Sequence, residues 1–86
     1  MYQITFSKKA LKSLKKIPID YQVKIKKASD RLSLSPFDLD LRKLSSYYQA
    51  THRLRVGDYR IFLRIDFEIK IIEIVEIERR TTQTYH

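Results

Sequence analysis

Arg53, Arg55, Arg60 and Arg64 fall within the run HRLRVGDYRIFLRID that extends from His52 to Asp66. A guanidinium stays charged at any working pH, and its planar fork of N–H donors binds two phosphate oxygens at once, so converging arginines suit an anionic, phosphate-bearing ligand. Whether they converge depends on the backbone. Apolar and polar residues alternate on both sides of Gly57-Asp58, and glycine takes the positive φ that a two-residue hairpin loop demands. With that loop, Val56 pairs with Tyr59, Arg55 with Arg60, Leu54 with Ile61 and Arg53 with Phe62, and directly paired residues share a face. One face then carries Leu54, Val56, Tyr59, Ile61, Leu63 and Ile65, and the other Arg53, Arg55, Arg60, Phe62 and Arg64. Like charges placed opposite one another destabilise a sheet. Arginines on the wet face of an antiparallel sheet are ordinary, but a merely solvated face mixes its signs. Between Arg53 and Arg64 only Asp58, in the turn, is acidic, so the cluster reads as one kept for an anion.

The elements that must position this hairpin follow from periodicity. Residues 2–6 (YQITF) alternate and predict a short first strand. Ser7 stands where an N-cap would, and Ala10, Leu11, Leu14 and Ile17 recur at helical spacing until Pro18 closes the helix. A second helix starts at Ile19 or Asp20, carries Tyr21, Ile25, Ala28 and Leu32 on one side, and ends before Ser35-Pro36, giving a helical hairpin. Residues 36–48 lack a clean period and read as a connecting loop, with Leu39, Leu41 and Leu44 tucked onto the core. Strands over 50–56, 59–66 and 69–77 complete a three-stranded antiparallel meander, followed by the polar tail ERRTTQTYH. The expected fold class is therefore α+β, with one domain over residues 1–86 and one twisted sheet.

The last strand extends the arginine face. If Phe67-Glu68 forms its two-residue turn, Arg64 pairs with Ile71, Phe62 with Glu73 and Arg60 with Val75, and the odd positions of the strand join the arginines. Arg79 then reaches that surface, and Glu73 lies beside Arg60 and Arg64 as an orienting carboxylate. A turn one residue longer reverses the parity.

Composition bounds what such a surface can meet. At 86 residues the chain holds one modest core. Its 18 Lys and Arg against 10 Asp and Glu give a net charge of +8 and a pI near 9.9, which favours nucleic acid, an acidic protein or an anionic membrane surface as partner. Residues 1–27 hold eight lysines against Asp20 alone, whereas residues 66–78 hold five acids against Lys70 alone. There is no cysteine, and His52 and His86 have no ligand spacing, so neither a metal nor a cofactor is expected. The N-terminal residues lack the apolar stretch of a leader or membrane span, so a cytoplasmic protein without membrane attachment is expected.

The element order, the pair Lys43-Leu44, the stretch RLRVGDYRIFLRI from Arg53 to Ile65, and a late arginine followed by a terminal tyrosine resemble the RelE/ParE superfamily of bacterial and archaeal toxins over almost the whole chain. A RelE-like member is, by that resemblance, the toxin of a type II toxin-antitoxin system. It enters the ribosomal A site, cleaves mRNA as a metal-independent endoribonuclease, and is neutralised by a cognate antitoxin within a toxin-antitoxin complex that can be of higher order. The resemblance assigns Arg53, Arg55, Arg60, Arg79 and Tyr85 to catalysis, and Phe62, Arg64 and Arg80 are expected to contact RNA.

That set suits RNA cleavage, because the 2′-hydroxyl attacks its own adjacent phosphate and the protein need only move protons and stabilise the phosphorane. Arg60 and Arg79 would stabilise the charge, Arg53 and Arg55 would position the phosphates, and Tyr85 would stack on a base or shuttle a proton. The chain departs from the RelE pattern in having Arg53 and Arg55 where lysine is common, Ser45 and Ser46 in place of a glycine, and Glu78 in place of a histidine. An arginine is always protonated, so the general base stays unassigned. Two alternatives stay open: the ParE branch, which poisons DNA gyrase without nuclease residues, and an RNA-binding module without chemistry. An antitoxin would be an acidic or amphipathic segment that wraps the helices or covers the arginine face.

Overall fold

A computed structural model describes residues 1–36, 39–45 and 49–79. Its elements are β1 (Gln3–Phe6), α1 (Lys8–Lys16), α2 (Ile19–Leu34), β2 (Leu41–Lys43), β3 (His52–Val56), β4 (Tyr59–Asp66) and β5 (Ile71–Arg79). The strands form one sheet in the order β1-β5-β4-β3-β2, with β1 parallel to β5 and the remaining pairs antiparallel. The α+β architecture and the three-stranded meander are as the sequence predicts.

Local chemistry explains the helical hairpin. The Ser7 hydroxyl accepts from Ala10 N at 3.0 Å, capping α1, and donates to the Val75 carbonyl at 2.6 Å, tying the cap to β5. Pro18 forces Ile17 out of helical geometry and α2 begins immediately afterwards. Along α2, Ile25, Ala28 and Leu32 are buried at helical spacing against the sheet. They meet Leu54, Ile61, Leu63, Ile65, Ile72, Ile74 and Ile77, all buried on the face the helices cover. The arginine-bearing face is the opposite one.

The segment expected to be a connecting loop contains a strand. Leu41 lies opposite Leu54, Arg42 opposite Arg53 and Lys43 opposite His52, so β2 adds a fifth strand at the sheet's edge. Three residues are too few to show a period, and the strand exists because β3 offers it an unpaired edge. Leu39 and Leu41 pack on the core as expected, whereas Leu44 does not join it and instead its amide donates to the Thr51 carbonyl at 2.9 Å.

The β3–β4 hairpin has the anticipated register, from Val56 opposite Tyr59 to Arg53 opposite Phe62. Gly57 has φ +57°, and a Cβ there would lie 2.9 Å from Tyr21 Cε1. Tyr21 clamps the tip: its hydroxyl donates to Asp58 Oδ2 at 3.2 Å, and its ring meets Tyr59 edge-on at 5.0 Å. The Asp58 carboxylate, foremost, raises the pKa of the Tyr21 hydroxyl. Gly57→Ala combines a positive φ with this close approach. It is expected to cost about 1–3 kcal/mol, a fall in Tm of roughly 5–15 °C in a thermal melt. An unchanged Tm would show that the tip tolerates a side chain.

The β4–β5 connection corrects the expected register. Residues 67–70 make the turn, because Asp66 Oδ1 accepts from the amides of Glu68 at 3.0 Å and Ile69 at 3.2 Å and carries the chain past a two-residue loop. Asp66 therefore lies opposite Ile71 and Arg64 opposite Glu73. The register then shifts between Phe62 and Leu63: Leu63 faces Ile74 but Phe62 faces Glu76, leaving Val75 as the extra residue of a β-bulge. Beyond it Arg60 faces Glu78 and Tyr59 faces Arg79, where Phe62 opposite Glu73 and Arg60 opposite Val75 had been expected.

Candidate nucleic-acid interface

The register assembles the outer face of the sheet in rows. One row runs Arg42, Arg53, Phe62, Glu76 across β2 to β5, and the next runs Arg55, Arg60, Glu78 across β3 to β5. A third, towards the opposite end of β4, pairs Arg64 with Glu73. Arg53, Arg55 and Arg60 are thus brought together on one face, as the alternation of the hairpin requires.

Charge is graded across this face, with arginines on β2, β3 and β4 and the carboxylates of Glu73 and Glu78 on β5, while Glu76 pairs with Lys9 of α1 at 3.5 Å. Arg60 Nη2 lies 3.7 Å from Glu78 Oε1, and Arg64 Nη1 lies 3.1 Å from Glu73 Oε1. Arg64 also donates to the Gln49 carbonyl at 2.8 Å, so its guanidinium is committed to holding β4 to β5 and to the segment before β3. Glu73 orients Arg64 as expected, while the partner of Arg60 is Glu78. Among the described residues Arg42, Arg53 and Arg55 make no ion pair. With Asp40 these three line a cavity of about 140 Å³. Among the described residues the buried Nε of Arg60 has no hydrogen-bond partner, a donor that costs about 1–3 kcal/mol to leave unsatisfied.

One expected site residue is placed differently. Arg79 lies opposite Tyr59 and so falls on the side of the sheet the helices occupy, because the bulge at Val75 reverses the parity that would have carried it to the arginine face. Phe62 is on the arginine side, as expected, but only 7% exposed, so it offers RNA little surface. Tyr85 and Arg80 lie outside the described residues. Arg42, at the sheet edge, was missed in the sequence because its strand carries no period.

His52 lies opposite Leu63, on the helix side of the sheet. Its Nδ1 is 2.8 Å from Thr51 Oγ1 and its ring 5.9 Å from that of Phe67. Burial, and secondarily the charge of Lys43, lowers its pKa. The folded chain therefore binds this proton less readily than the unfolded one. The stability from the neutral ring is fully present above about pH 6.5 and is lost as pH falls through the lowered pKa. The Tm is expected to decline from roughly pH 7 to 5, and His52→Gln to flatten that decline. Identical slopes in melts across this range would rule out the imidazole.

Among the described residues no group of three or more His, Asp or Glu side chains could hold a metal ion, and no helix is long and apolar enough to cross a membrane.

Comparison with known proteins matches this arrangement to one class. The family described as the ParE toxin of type II toxin-antitoxin system, parDE, matches residues 4–84. Toxin RelE3 of Methanocaldococcus jannaschii is 29% identical over 87 residues, spanning 96% of this chain and 97% of that protein. The archaeal RelE-RelB complex from Pyrococcus horikoshii OT3 contains a chain that superposes with a TM-score of 0.80 at 25% identity, covering 92% of this chain and 94% of that one. A chain of the toxin-antitoxin complex RelBE2 from Mycobacterium tuberculosis gives a TM-score of 0.80 at 26% identity, over 92% of this chain and 98% of that one. The chain belongs to this toxin family, as a RelE-like member of the RelE/ParE superfamily.

Proposed function

We propose that this toxin is a ribosome-dependent endoribonuclease that cleaves mRNA in the A site by attack of the substrate's own 2′-hydroxyl, and so inhibits translation in the cytoplasm. The observation that carries the reading is the placement of Arg53, Arg55 and Arg60 on one sheet face, with Arg55 directly opposite Arg60. Arg55 and Arg60 lie opposite each other, so a phosphate bridging them would receive two guanidinium forks. Charge developing on the phosphorane oxygens strengthens those contacts, which is transition-state stabilisation. Arg53, in the next row, holds the neighbouring part of the strand.

A cognate antitoxin completes the proposal. Two of the similar solved structures are RelE-RelB or RelBE2 complexes. On this chain a groove of about 280 Å³ is lined by Leu54 and Val56 together with Lys24, Lys27, Arg31 and Arg55, which suits an acidic amphipathic segment. Because Arg55 belongs both to this groove and to the arginine face, a segment seated here would also withhold a phosphate contact.

The match to a ParE family favours a second reading, inhibition of DNA gyrase without nuclease chemistry. Induced synthesis of the toxin in a translating extract, with mRNA ends mapped beside a supercoiling assay, separates the two. New ends at codon-phased positions support the nuclease. Intact messages with blocked supercoiling overturn it.

A further inference from the structure

We propose that Asp40, Arg42, Arg53 and Arg55 form a second phosphate site, which holds the backbone phosphate of single-stranded RNA adjacent to the one cleaved, and that Arg42 positions the substrate there. The proposal rests on the nuclease reading above. β2 sets Arg42 directly opposite Arg53, and the Arg55 amide donates to the Asp40 carbonyl at 3.2 Å, so the edge strand closes the side of a concave site. The cavity of about 140 Å³ is several times the roughly 30 Å³ share of one water, so an anion fits with part of its hydration.

Among the described residues its charge is answered only in part. Arg60 and Arg64 each face a glutamate of β5, whereas the cavity sets three guanidiniums against the single carboxylate of Asp40. Like charges opposed across strands repel, and a phosphate bridging Arg42 and Arg53 removes that cost while accepting charge-assisted hydrogen bonds.

Spacing connects this site to the chemistry. The Arg42–Arg53 row lies two residues along β3 from the Arg55–Arg60 row, about 6.8 Å at the strand rise, so an extended RNA strand crossing the sheet can set successive phosphates on the two rows. Arg55 lines the cavity and also opposes Arg60, which makes it the link between the sites.

The test compares wild type, Arg42→Ala and Arg42→Lys in two measurements: salt-dependent binding of a 2′-O-methyl oligoribonucleotide, which cannot be cleaved, and the kinetics of mRNA cleavage on programmed ribosomes. Arg42 is exposed, so both variants should fold, and a thermal melt checks this. Losing one phosphate contact should lower the slope of log K against log salt by about 0.7 and weaken binding about 5–10-fold. KM should rise by a similar factor, with kcat within about twofold, because a positioning contact acts on ground and transition states alike. Arg42→Lys should restore the slope, since the charge remains, but only part of the affinity, since the fork is gone. If Arg42→Ala binds and cuts as wild type does, or loses only kcat, the second site is overturned while the nuclease reading stands. If the oligomer binds through Arg42 but wild type cuts no message, the nuclease reading falls, and with it the placement beside a scissile phosphate.

Discussion

Arg60→Ala is expected to slow mRNA cleavage by about 10²–10³-fold, the usual cost of removing one preorganised donor from a developing oxyanion. The fold should survive. Arg60 is partly exposed, at 36% of its side chain, and its contact with Glu78 at 3.7 Å is a surface ion pair contributing at most about 0.5–1 kcal/mol. Removing the side chain also removes an Nε donor without a partner among the described residues, which offsets that loss. Primer extension across the cleaved codon together with a thermal melt separates the two roles. Slow cleavage with an unchanged melt places Arg60 on the phosphate. Lost folding would make it structural, and unchanged cleavage would remove it from the site.

Leu63→Ala is expected to have the largest effect on stability. Leu63 is 0% exposed at the centre of β4, flanked by His52 on β3 and Ile74 on β5, and the bulge begins beside it. Truncating a fully buried leucine costs about 2–5 kcal/mol in lost transfer free energy and residual cavity. A domain of 86 residues has of the order of 5–10 kcal/mol in all, so the variant should lose much of its stability and its toxicity together. Leu63→Met keeps the volume and should stay within about 1.5 kcal/mol of wild type in urea unfolding. A loss below about 1 kcal/mol for the alanine variant would contradict the packing described.

The hairpin was legible because its signals agree: a glycine in the loop, alternation on both sides, and an apolar set that can be buried in only one register. Ser7 and Pro18 marked the ends of α1 for similarly local reasons. The register of β5 was not legible from alternation alone, since a four-residue turn shifts it by two and a bulge then shifts it by one more. The bulge does leave a trace. The buried isoleucines run Ile72, Ile74, Ile77, and their spacing changes from two to three where Val75 is inserted. Reading that change would have moved Arg79 off the arginine face, and only together with the longer turn would it have put Glu78 opposite Arg60. Arg42 had no comparable trace, because a three-residue edge strand is specified by its neighbour, not by its own pattern.

The most direct test of the arginine-face mechanism uses ribosomes programmed with a message bearing a single 2′-O-methyl group at the cleaved nucleotide. If guanidiniums stabilise a phosphorane made by the substrate's own hydroxyl, the unmodified message is cut to leave a 2′,3′-cyclic phosphate and the methylated one stays intact. Equal cleavage of both messages would contradict the account.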